Sequence, residues 1–213
     1  MDVYLIRHTE VALKERVAYG QSDIDLADTF EEQRDRLITH LPDDPMAIFS
    51  SPLRRCRQLA DDLSRNFSPG SQIEIAPGQK KTIDAHPLSV QTDDRLKEFF
   101  FGDWEMVPWN DIDRATLDSW MADFVTIRTP NGENFSDLFV RVRDFWQSSI
   151  MPLAQSQPTQ PVFIVSHGGV IRALLCLFLD LSLQNAYRIN LDYGAVTKLT
   201  VNVSFYTDQY INR

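Results

Sequence analysis

The sequence predicts a three-layer α/β/α sandwich built around a mostly parallel sheet. Three short apolar runs, at residues 3–6, 46–49 and 162–165, are typical of strands buried on both faces of a sheet. Each run is followed by a polar turn and an amphipathic helix, and strand–helix units that share one core stack into such a sandwich. With 213 residues, of which 43% are hydrophobic, the chain can bury a sizeable core. We therefore expect one domain over residues 1–213.

The first half of the chain supplies two strands and one clear helix. Residues 3–6 are predicted as the first strand and residues 46–49 as the second. The helix is predicted over residues 53–67, because apolar side chains recur there at helical spacing. These side chains belong to Leu53, Cys56, Leu59, Ala60 and Leu63.

The second half of the chain supplies helices on both sides of the third strand. Helical spacing of apolar residues predicts helices at 111–126 and, more clearly, at 135–151. The segment 155–161 is rich in Gln, Ser, Thr and Pro and is predicted to be a loop. After the third strand, residues 168–179 are apolar nearly all round and predict a buried helix. Residues 191–203 return to strand-like alternation.

The charge of the chain excludes some classes of partner. Acidic residues outnumber basic ones by 30 to 21, a formal net charge of −9, which argues against a general nucleic-acid binder. The most apolar segment, residues 170–181, is too short to cross a bilayer, so no membrane partner is expected. No signal peptide is visible, and Cys56 and Cys176 are interpreted as buried apolar residues rather than a bridge. We expect a reducing, cytoplasmic location and make no prediction for the oligomeric state.

The most informative residues stand directly after the predicted strands, because ligands of such sheets bind beyond the carboxyl ends of the strands. Arg7 and His8 follow the first strand, Arg55 comes soon after the second, and His167 and Gly168 follow the third. Histidine offers a nucleophile or proton carrier near neutral pH, and arginine offers a fork of donors that matches phosphate oxygens. The free amides of a helix that starts at Gly168 also favour an anion. These residues predict a pocket for a phosphoryl group.

Other phosphate chemistries leave marks that this sequence lacks. There is no Gly-x-x-x-x-Gly-Lys-Ser/Thr loop, and neither cysteine is followed six residues later by arginine. Asp23 and Asp25 resemble an aspartyl-nucleophile motif but do not follow an apolar strand. Histidines and carboxylates do not cluster at metal-ligand spacing. The remaining hypothesis is a mechanism without a metal or cofactor, in which histidine is the nucleophile.

The reaction also needs a proton donor for the departing oxygen. Glu98 and Glu105 lie in a segment rich in aromatic residues, and apolar surroundings raise the pKa of a carboxyl group, which suits a general acid. This argument does not rank the two glutamates.

Four motifs, in order along the chain, resemble those of the histidine phosphatase superfamily, also called the phosphoglycerate mutase-like group. They are Arg7-His8-Thr9, Ser51-Pro-Leu-Arg-Arg55, Leu96-Lys-Glu98 with Phe101-Gly-Asp-Trp-Glu105, and Ser166-His167-Gly168. The resemblance covers nearly the whole chain and implies a phosphoglycerate mutase-like fold. It implies that His8 accepts the phosphoryl group. It also implies that Arg7, Arg55 and His167 hold the phosphoryl oxygens.

The same resemblance suggests roles for the residues around this centre. It implies that Glu98 is the proton donor and Glu105 a supporting residue. The residues expected to bind the substrate are Thr9, Gln21, Ser22, Glu105 and Gly168. A helical insertion at about residues 106–151 is the expected lid over the leaving-group site.

Smaller features are most similar to the α-ribazole phosphatase branch, which belongs to cobalamin biosynthesis. They lie at residues 19–26, 168–175 and 191–196. The chain departs from the family pattern at Leu59, where threonine is usual, and at Met106, where glycine is usual. The expected function is a metal-independent phosphomonoesterase with a phosphohistidine intermediate, for which this branch suggests α-ribazole 5′-phosphate as substrate. The alternatives are a phosphoglycerate mutase-type isomerase and a phospho-ligand-binding module without turnover.

Overall fold

The computed structural model describes residues 1–13, 15–67, 73–76, 79–81, 88–202 and 206–210, which form strands, α-helices and short 3₁₀ turns. The strands are β1 (Asp2–Arg7), β2 (Ala47–Ser50), β3 (Ile73–Ala76), β4 (Gln79–Lys81), β5 (Val90–Thr92), β6 (Val162–Ser166), β7 (Val196–Val201) and β8 (Tyr206–Tyr210). The α-helices are α1 (Phe30–Ile38), α2 (Arg54–Asn66), α3 (Arg114–Ala122), α4 (Phe135–Phe145), α5 (Met151–Ser156) and α6 (Gly168–Phe178). Short 3₁₀ turns cover Asp94–Leu96, Gly102–Trp104 and Leu183–Arg188, and Trp146–Ile150 forms a π-helical turn.

Six strands form one sheet in the order β5-β2-β6-β1-β7-β8, while β3 and β4 form a separate pair. β5, β2, β6 and β1 run parallel, whereas β7 is antiparallel to β1 and β8 is antiparallel to β7. In the register of this sheet, Arg7 lies opposite Ser166, and Ser50 lies opposite Val165. The carboxyl ends of β1, β2 and β6 therefore lie side by side at one edge.

Helices cover both faces of the sheet. Because alternate residues of a strand point to opposite sides, the side chains of each strand divide between two cores. In β1, Val3 and Leu5 belong to a core shared with α4 and α6, whereas Tyr4 and Ile6 belong to a core shared with α1 and α2. All four side chains are buried, and burial of an apolar side chain contributes about 1.5–3 kcal/mol to stability. The predicted α/β/α sandwich with a mostly parallel sheet is confirmed.

Two predicted elements are longer than the observed ones, for local reasons. The predicted helix 111–126 begins only at Arg114 and ends at Ala122, because the carboxylate of Asp113 accepts a hydrogen bond from the Thr116 N–H and caps the helix there. The predicted strand 191–203 begins only at Val196, after a turn that contains Gly194 at φ +68°. Its last residue, 203, lies outside the described residues.

The predicted helix 135–151 is interrupted and extends further than expected. α4 ends at Phe145, the π-helical turn Trp146–Ile150 follows, and α5 continues the helical path to Ser156. Pro152, at the start of α5, has no N–H to complete the regular i→i−4 ladder. In the π-helical turn directly before Pro152, the backbone hydrogen bonds span five residues instead of four.

Met106 adopts a left-handed backbone conformation, with φ at +63°. Glycine enters this region without the steric penalty that a Cβ atom brings, which is roughly 1–2 kcal/mol. The positive φ at this position explains why glycine is usual there in the family, and methionine adopts it at a steric cost.

Cys56 and Cys176 are both buried and unbridged. Among the described helices, none is long and apolar enough to span a bilayer.

Candidate active site

The carboxyl ends of β1, β2 and β6 bring the predicted residues to one edge of the sheet. His8 follows β1, Ser51 follows β2, and His167 follows β6. The ring centroids of His8 and His167 lie 5.2 Å apart, with an angle of 64° between the ring planes. His8 is only 2% exposed and His167 is fully buried. Two histidines from motifs 159 positions apart along the printed sequence are therefore neighbours in space.

One hydrogen bond fixes the tautomer of His8. Its Nδ1 lies 2.7 Å from the carbonyl oxygen of Thr9, and because a carbonyl only accepts, Nδ1 carries the proton. Burial, followed by the positive charges of Arg55 and Arg7, holds the pKa of His8 well below its usual 6.5. At neutral pH the ring is therefore uncharged, and its Nε2 has a free lone pair.

His167 has the opposite tautomer. Its Nδ1 accepts a hydrogen bond from Nε of Arg55 at 3.3 Å, so the proton of the neutral ring is on Nε2. Nε2 lies 2.8 Å from the hydroxyl oxygen of Ser51 and donates to it. Burial, followed by the positive charge of Arg55, holds the pKa of His167 well below its usual 6.5. This ring therefore presents a donor where His8 presents a lone pair.

Arg55, in α2, is fully buried and is paired with carbonyl oxygens instead of a carboxylate. Its Nη1 donates to the carbonyl of Ser22 at 2.8 Å and its Nη2 to the carbonyl of Gly20. Across the described residues, no carboxylate lies within ion-pair distance of Arg55 or of Arg7. The positive charge at this edge of the sheet is therefore uncompensated by direct ion pairs, and it favours an anion.

Arg7 is held between a carbonyl group and an aromatic ring. Its Nη1 donates to the carbonyl of Leu191, and its Cζ lies 4.0 Å from the ring centroid of Tyr193. Its Nε is buried and has no hydrogen-bond partner within the described ranges. A buried donor without a partner is costly, so this atom is ready to bind an anion. Tyr193, which also lies 5.6 Å from the His8 ring, was contained in the 191–196 segment but was not predicted as a site residue.

Glu98 reaches the start of α6. Its Oε1 accepts a hydrogen bond from the Phe99 N–H at 2.9 Å, and its Oε2 accepts one from the Gly169 N–H at 3.1 Å. A Cβ atom on Gly169 would lie 2.3 Å from Oε1, so only glycine leaves room for the carboxylate in this position. The carboxylate of Glu98 therefore contacts the backbone of Gly169, which is two residues after His167.

Arg141, on α4, fixes the backbone that carries Glu98, and the sequence did not predict this role. Its Nη2 donates to the carbonyl of Glu98 at 2.9 Å, and its Nη1 donates to the carbonyls of Arg95 and Lys97. Its Nε and Nη2 also pair with the carboxylate of Glu133, at 2.9 and 3.0 Å. One guanidinium therefore ties the segment before and at Glu98 to α4.

Glu105 accepts five hydrogen bonds, whereas Glu98 accepts two. Both of its oxygens accept hydrogen bonds from donors of the chain, which belong to Gly20, Gln21, Ser22 and Phe101. Burial by itself raises the pKa of Glu105, but these hydrogen bonds, led by that of Ser22, outweigh it and lower the pKa. The carboxylate therefore stays ionised, which does not suit a general acid. The hydrogen bonds thus make Glu105 the less suitable of the two glutamates as a general acid, and the role of Glu98 as proton donor stays a prediction.

Thr9, Gln21 and Ser22 lie at the same edge of the sheet. Thr9 is fully buried; its carbonyl accepts from His8, while its Oγ1 has no partner among the residues described. The side chains of Gln21 and Ser22 both donate to groups of the segment 98–105. In this arrangement these two side chains brace the site.

Gly168 is the first residue of α6 and has two guanidinium groups beside it. A Cβ atom on Gly168 would lie 2.7 Å from Nη1 of Arg172 and 3.5 Å from Nε of Arg7. Arg172 also donates from Nε to the carbonyl of Ile189. The start of α6 therefore combines the positive end of a helix dipole with two cations, an arrangement that suits an anion.

Metal-ligating side chains do not gather within the described part of the chain. No group of three or more His, Cys, Asp or Glu residues there could hold a metal ion. The expectation of a site without metal or cofactor stays a prediction.

Comparisons with known proteins agree with this site. The sequence matches the family described as the histidine phosphatase superfamily (branch 1) over residues 3–78 and 79–208. It is 30% identical over 146 residues to the adenosylcobalamin/alpha-ribazole phosphatase of Escherichia coli (strain K12), which covers 67% of this chain and 70% of that protein. A protein of Hydrogenobacter thermophilus, named provisionally as a phosphoserine phosphatase, is 26% identical over 216 residues, or 99% of this chain and 95% of that protein.

A solved structure gives the same result for the fold. The alpha-ribazole phosphatase from Shigella flexneri is 27% identical and superposes with a TM-score of 0.78, covering 100% of this chain and 96% of that chain. All of these relatives are named as phosphatases, but their names give different substrates. The fold is therefore phosphoglycerate mutase-like, and the chain belongs to the histidine phosphatase superfamily (branch 1) as a phosphatase enzyme.

Proposed function

We propose that this protein is a phosphomonoesterase that works without a metal ion and passes the phosphoryl group through His8. The observation that carries this proposal is the state of His8, a buried and uncharged ring whose Nδ1–H is bound to the Thr9 carbonyl. This leaves the lone pair of Nε2 free, and a neutral imidazole nitrogen is a nucleophile near neutral pH.

Arg7, Arg55 and His167 hold the phosphoryl oxygens in this proposal. The two guanidiniums concentrate positive charge in a chain whose formal net charge is −9, and the His167 ring lies 5.2 Å from that of His8. The buried, unpartnered Nε of Arg7 supports a contact with an anion. Donors that are fixed before the reaction stabilise the charge that develops on the phosphoryl group in the transition state.

The reaction runs in two steps. First, the lone pair of His8 Nε2 forms a P–N bond while the P–O bond to the leaving group breaks, and protonated Glu98 gives its proton to the leaving oxygen. Second, water attacks phosphorus, its proton passes to Glu98, and the P–N bond breaks to release inorganic phosphate and neutral histidine. The hydrogen bond from the Gly169 N–H holds the carboxyl group of Glu98 at the start of α6, two residues after His167, and this placement supports the role.

We assign Glu105 a positioning role in place of the expected contact with the substrate. Both of its oxygens are used by donors of the chain, most of them in the loop at residues 20–22. Thr9 and Gly168 remain proposed contacts to the substrate, supported by the unpartnered Oγ1 of Thr9 and the helix start at Gly168. Gln21 and Ser22 would contact the substrate from the braced loop.

Residues 1–213 form one domain in this proposal, and the lid is limited to residues 106–134. The expected lid at 106–151 also contains α4, whose Phe135 and Leu138 are fully buried in the core next to the sheet. A helix with this burial cannot open without breaking the core. α3 and the turns beside it therefore shape the leaving-group site.

The substrate is a small phosphate monoester, and α-ribazole 5′-phosphate is the first candidate. The names of relatives from Escherichia coli and Shigella flexneri support this candidate and a place in cobalamin biosynthesis. The name of the Hydrogenobacter thermophilus relative makes O-phosphoserine the second compound to test. A reducing, cytoplasmic location is supported by Cys56 and Cys176, which are buried and unbridged.

The experiment measures phosphate release from α-ribazole 5′-phosphate, O-phosphoserine and 3-phosphoglycerate. The variant is His8→Ala, and the matched control is His40→Ala, an exposed histidine beyond the end of α1. Wild type and control should release phosphate from at least one ester, while His8→Ala should be slower by about 10³-fold or more. Undiminished release by His8→Ala, or interconversion of phosphoglycerates without phosphate release, would contradict the proposal.

A further inference from the structure

A cleft with aromatic walls lies beside the proposed reaction centre, between α3 and the turn Leu183–Arg188. Its volume is about 940 Å³, near the upper end of the roughly 300–1,000 Å³ that is typical of sites for drug-sized ligands. Its aromatic walls come from Phe101, Trp109, Trp120, Phe124 and Tyr187. The charged side chains that line it are two arginines, Arg16 and Arg114, although the chain as a whole is acidic.

The rings of the cleft are arranged as a stacking surface. Trp109 and Trp120 lie close to parallel, with an angle of 27° and centroids 6.2 Å apart. Phe101 meets Trp109 edge-on at 5.5 Å, and Phe124 meets Tyr187 edge-on at 5.0 Å. Such surfaces bind flat rings through stacked and edge contacts, each worth about 0.5–1.5 kcal/mol beyond the burial of area.

One wall of the cleft adjoins the proposed proton donor. The ring of Phe101 packs against the ring of Phe99, with centroids 4.8 Å apart, and Phe99 directly follows Glu98. The N–H of Phe99 donates to the carboxylate of Glu98. A leaving group that takes its proton from Glu98 therefore departs next to this wall.

The part of the cleft wall formed by Tyr187 adjoins the start of α6. The Cζ of Arg172 lies 5.3 Å from the ring centroid of Tyr187. Nη1 of the same arginine reaches within 2.7 Å of the position that a Cβ atom on Gly168 would occupy. The cleft thus adjoins both Glu98 and the start of α6, which lie on two sides of the proposed phosphoryl site.

We infer that this cleft binds the leaving group, and that the substrate is a phosphate ester of an alcohol that carries a flat aromatic or heteroaromatic ring. The inference rests on the proposed phosphatase function and adds its substrate class. A small aliphatic hydroxy acid would leave most of the aromatic surface in water, whereas a ring removes apolar area from water on both partners. Tyr187 and Trp109 are the specificity-determining residues, because their rings lie at the two ends of the row of ring contacts that lines the cleft.

The test compares propyl phosphate with 3-phenylpropyl phosphate, two primary alkyl esters that differ only in the terminal ring. For wild type, kcat/KM should be higher for the ring-bearing ester by about 10-fold or more. Tyr187→Ala and Trp109→Ala should reduce this ratio to about threefold or less, whereas Tyr187→Phe should retain it. Val140→Ala, at an exposed position of α4, is the control that should also retain the ratio.

The outcomes separate the two proposals. If wild type hydrolyses both esters at the same kcat/KM, and His8→Ala hydrolyses neither, the ring site is overturned and the phosphatase proposal stands. If wild type hydrolyses no ester, the phosphatase proposal fails and the ring site falls with it. A ratio that Tyr187→Ala leaves unchanged overturns the placement of the ring. Tyr187 is about half exposed, so this variant keeps the test decisive even if Trp109→Ala fails to fold.

Discussion

Arg55 and Glu105 are joined through a single loop. Glu105 accepts hydrogen bonds from the N–H groups of Gly20 and Ser22, and Arg55 donates to the carbonyl groups of the same two residues. The loop is thereby held from both sides. A carboxylate in the aromatic segment thus helps to decide where a buried guanidinium lies at the phosphoryl site.

We expect Glu105→Gln to weaken phosphate recognition while the fold is retained. The new amide would direct two N–H donors at a loop that offers donors, so Arg55 would lose the fixed position of its carbonyl partners. Hydrogen bonds to charged groups are worth about 1.5–3 kcal/mol, so kcat/KM should fall by about 10–100-fold. The affinity for inorganic phosphate, measured by competitive inhibition, should fall with it. Asp103→Asn, in the same segment and exposed, should change neither value.

Gly169→Ala should separate activity from stability. The new Cβ would lie 2.3 Å from Oε1 of Glu98, the end of a flexible side chain, so the carboxylate rather than the helix would move. Alanine is about 1 kcal/mol better than glycine inside a helix, so the melting temperature should be equal or higher. Displacement of the acid should lower kcat by about 10–100-fold. Full activity in a variant of unchanged stability would show that Glu98 does not act from this position.

Arg141→Lys should lower kcat more than it changes KM. A lysine cannot replace the fork of donors that reaches Glu133 and the carbonyls around Glu98. We expect kcat to fall by about 10-fold, with KM changed by less than about threefold. Arg143→Lys, an exposed position on the same helix, is the control and should behave as wild type. An equal effect of both variants would contradict a positioning role for Arg141.

The buried histidines should make the fold sensitive to acid. The pKa values of His8 and His167 are held well below 6.5 in the folded state, mainly by burial, so below pH 6.5 the unfolded chain binds more protons than the native protein. This contribution to stability is therefore complete above pH 6.5 and is lost as the pH falls below it. Each histidine contributes a slope of about 1.4 kcal/mol per pH unit in that window. Urea unfolding of His8→Gln should show a slope smaller by about this amount, and an unchanged slope would contradict a neutral, buried His8.

The sequence predicts the fold where burial leaves a periodic pattern. The first, second and third strands were predicted within one or two residues, because both of their faces are buried and each run is continuously apolar. The bounds of α1 were not predicted, since Leu37 is its one buried residue among many charged ones. β5 was not predicted because it has three residues, two of them exposed, and takes its place only by pairing with β2.

The residues of the site were predicted where they stand next to a strand, and missed where only a tertiary contact reveals them. His8 and His167 follow strands whose ends lie side by side, so topology alone brings them together. Arg141 and Tyr193 reach the site from distant elements, and neither has a local pattern that distinguishes it from other surface or loop residues. The ranking of Glu98 and Glu105 likewise depends on hydrogen bonds from a loop far away in sequence.

The central claim, that the phosphoryl group passes through His8, is tested most directly by trapping the intermediate. Glu98→Gln would be mixed with 4-nitrophenyl phosphate, whose leaving group needs no proton, and quenched in alkali, where phosphohistidine survives. Peptide mass spectrometry should then find the phosphoryl group on the peptide that contains His8, and no label in the His8→Ala variant. Turnover of the ester with no phosphorylated His8, or with the label on another residue, would contradict the account.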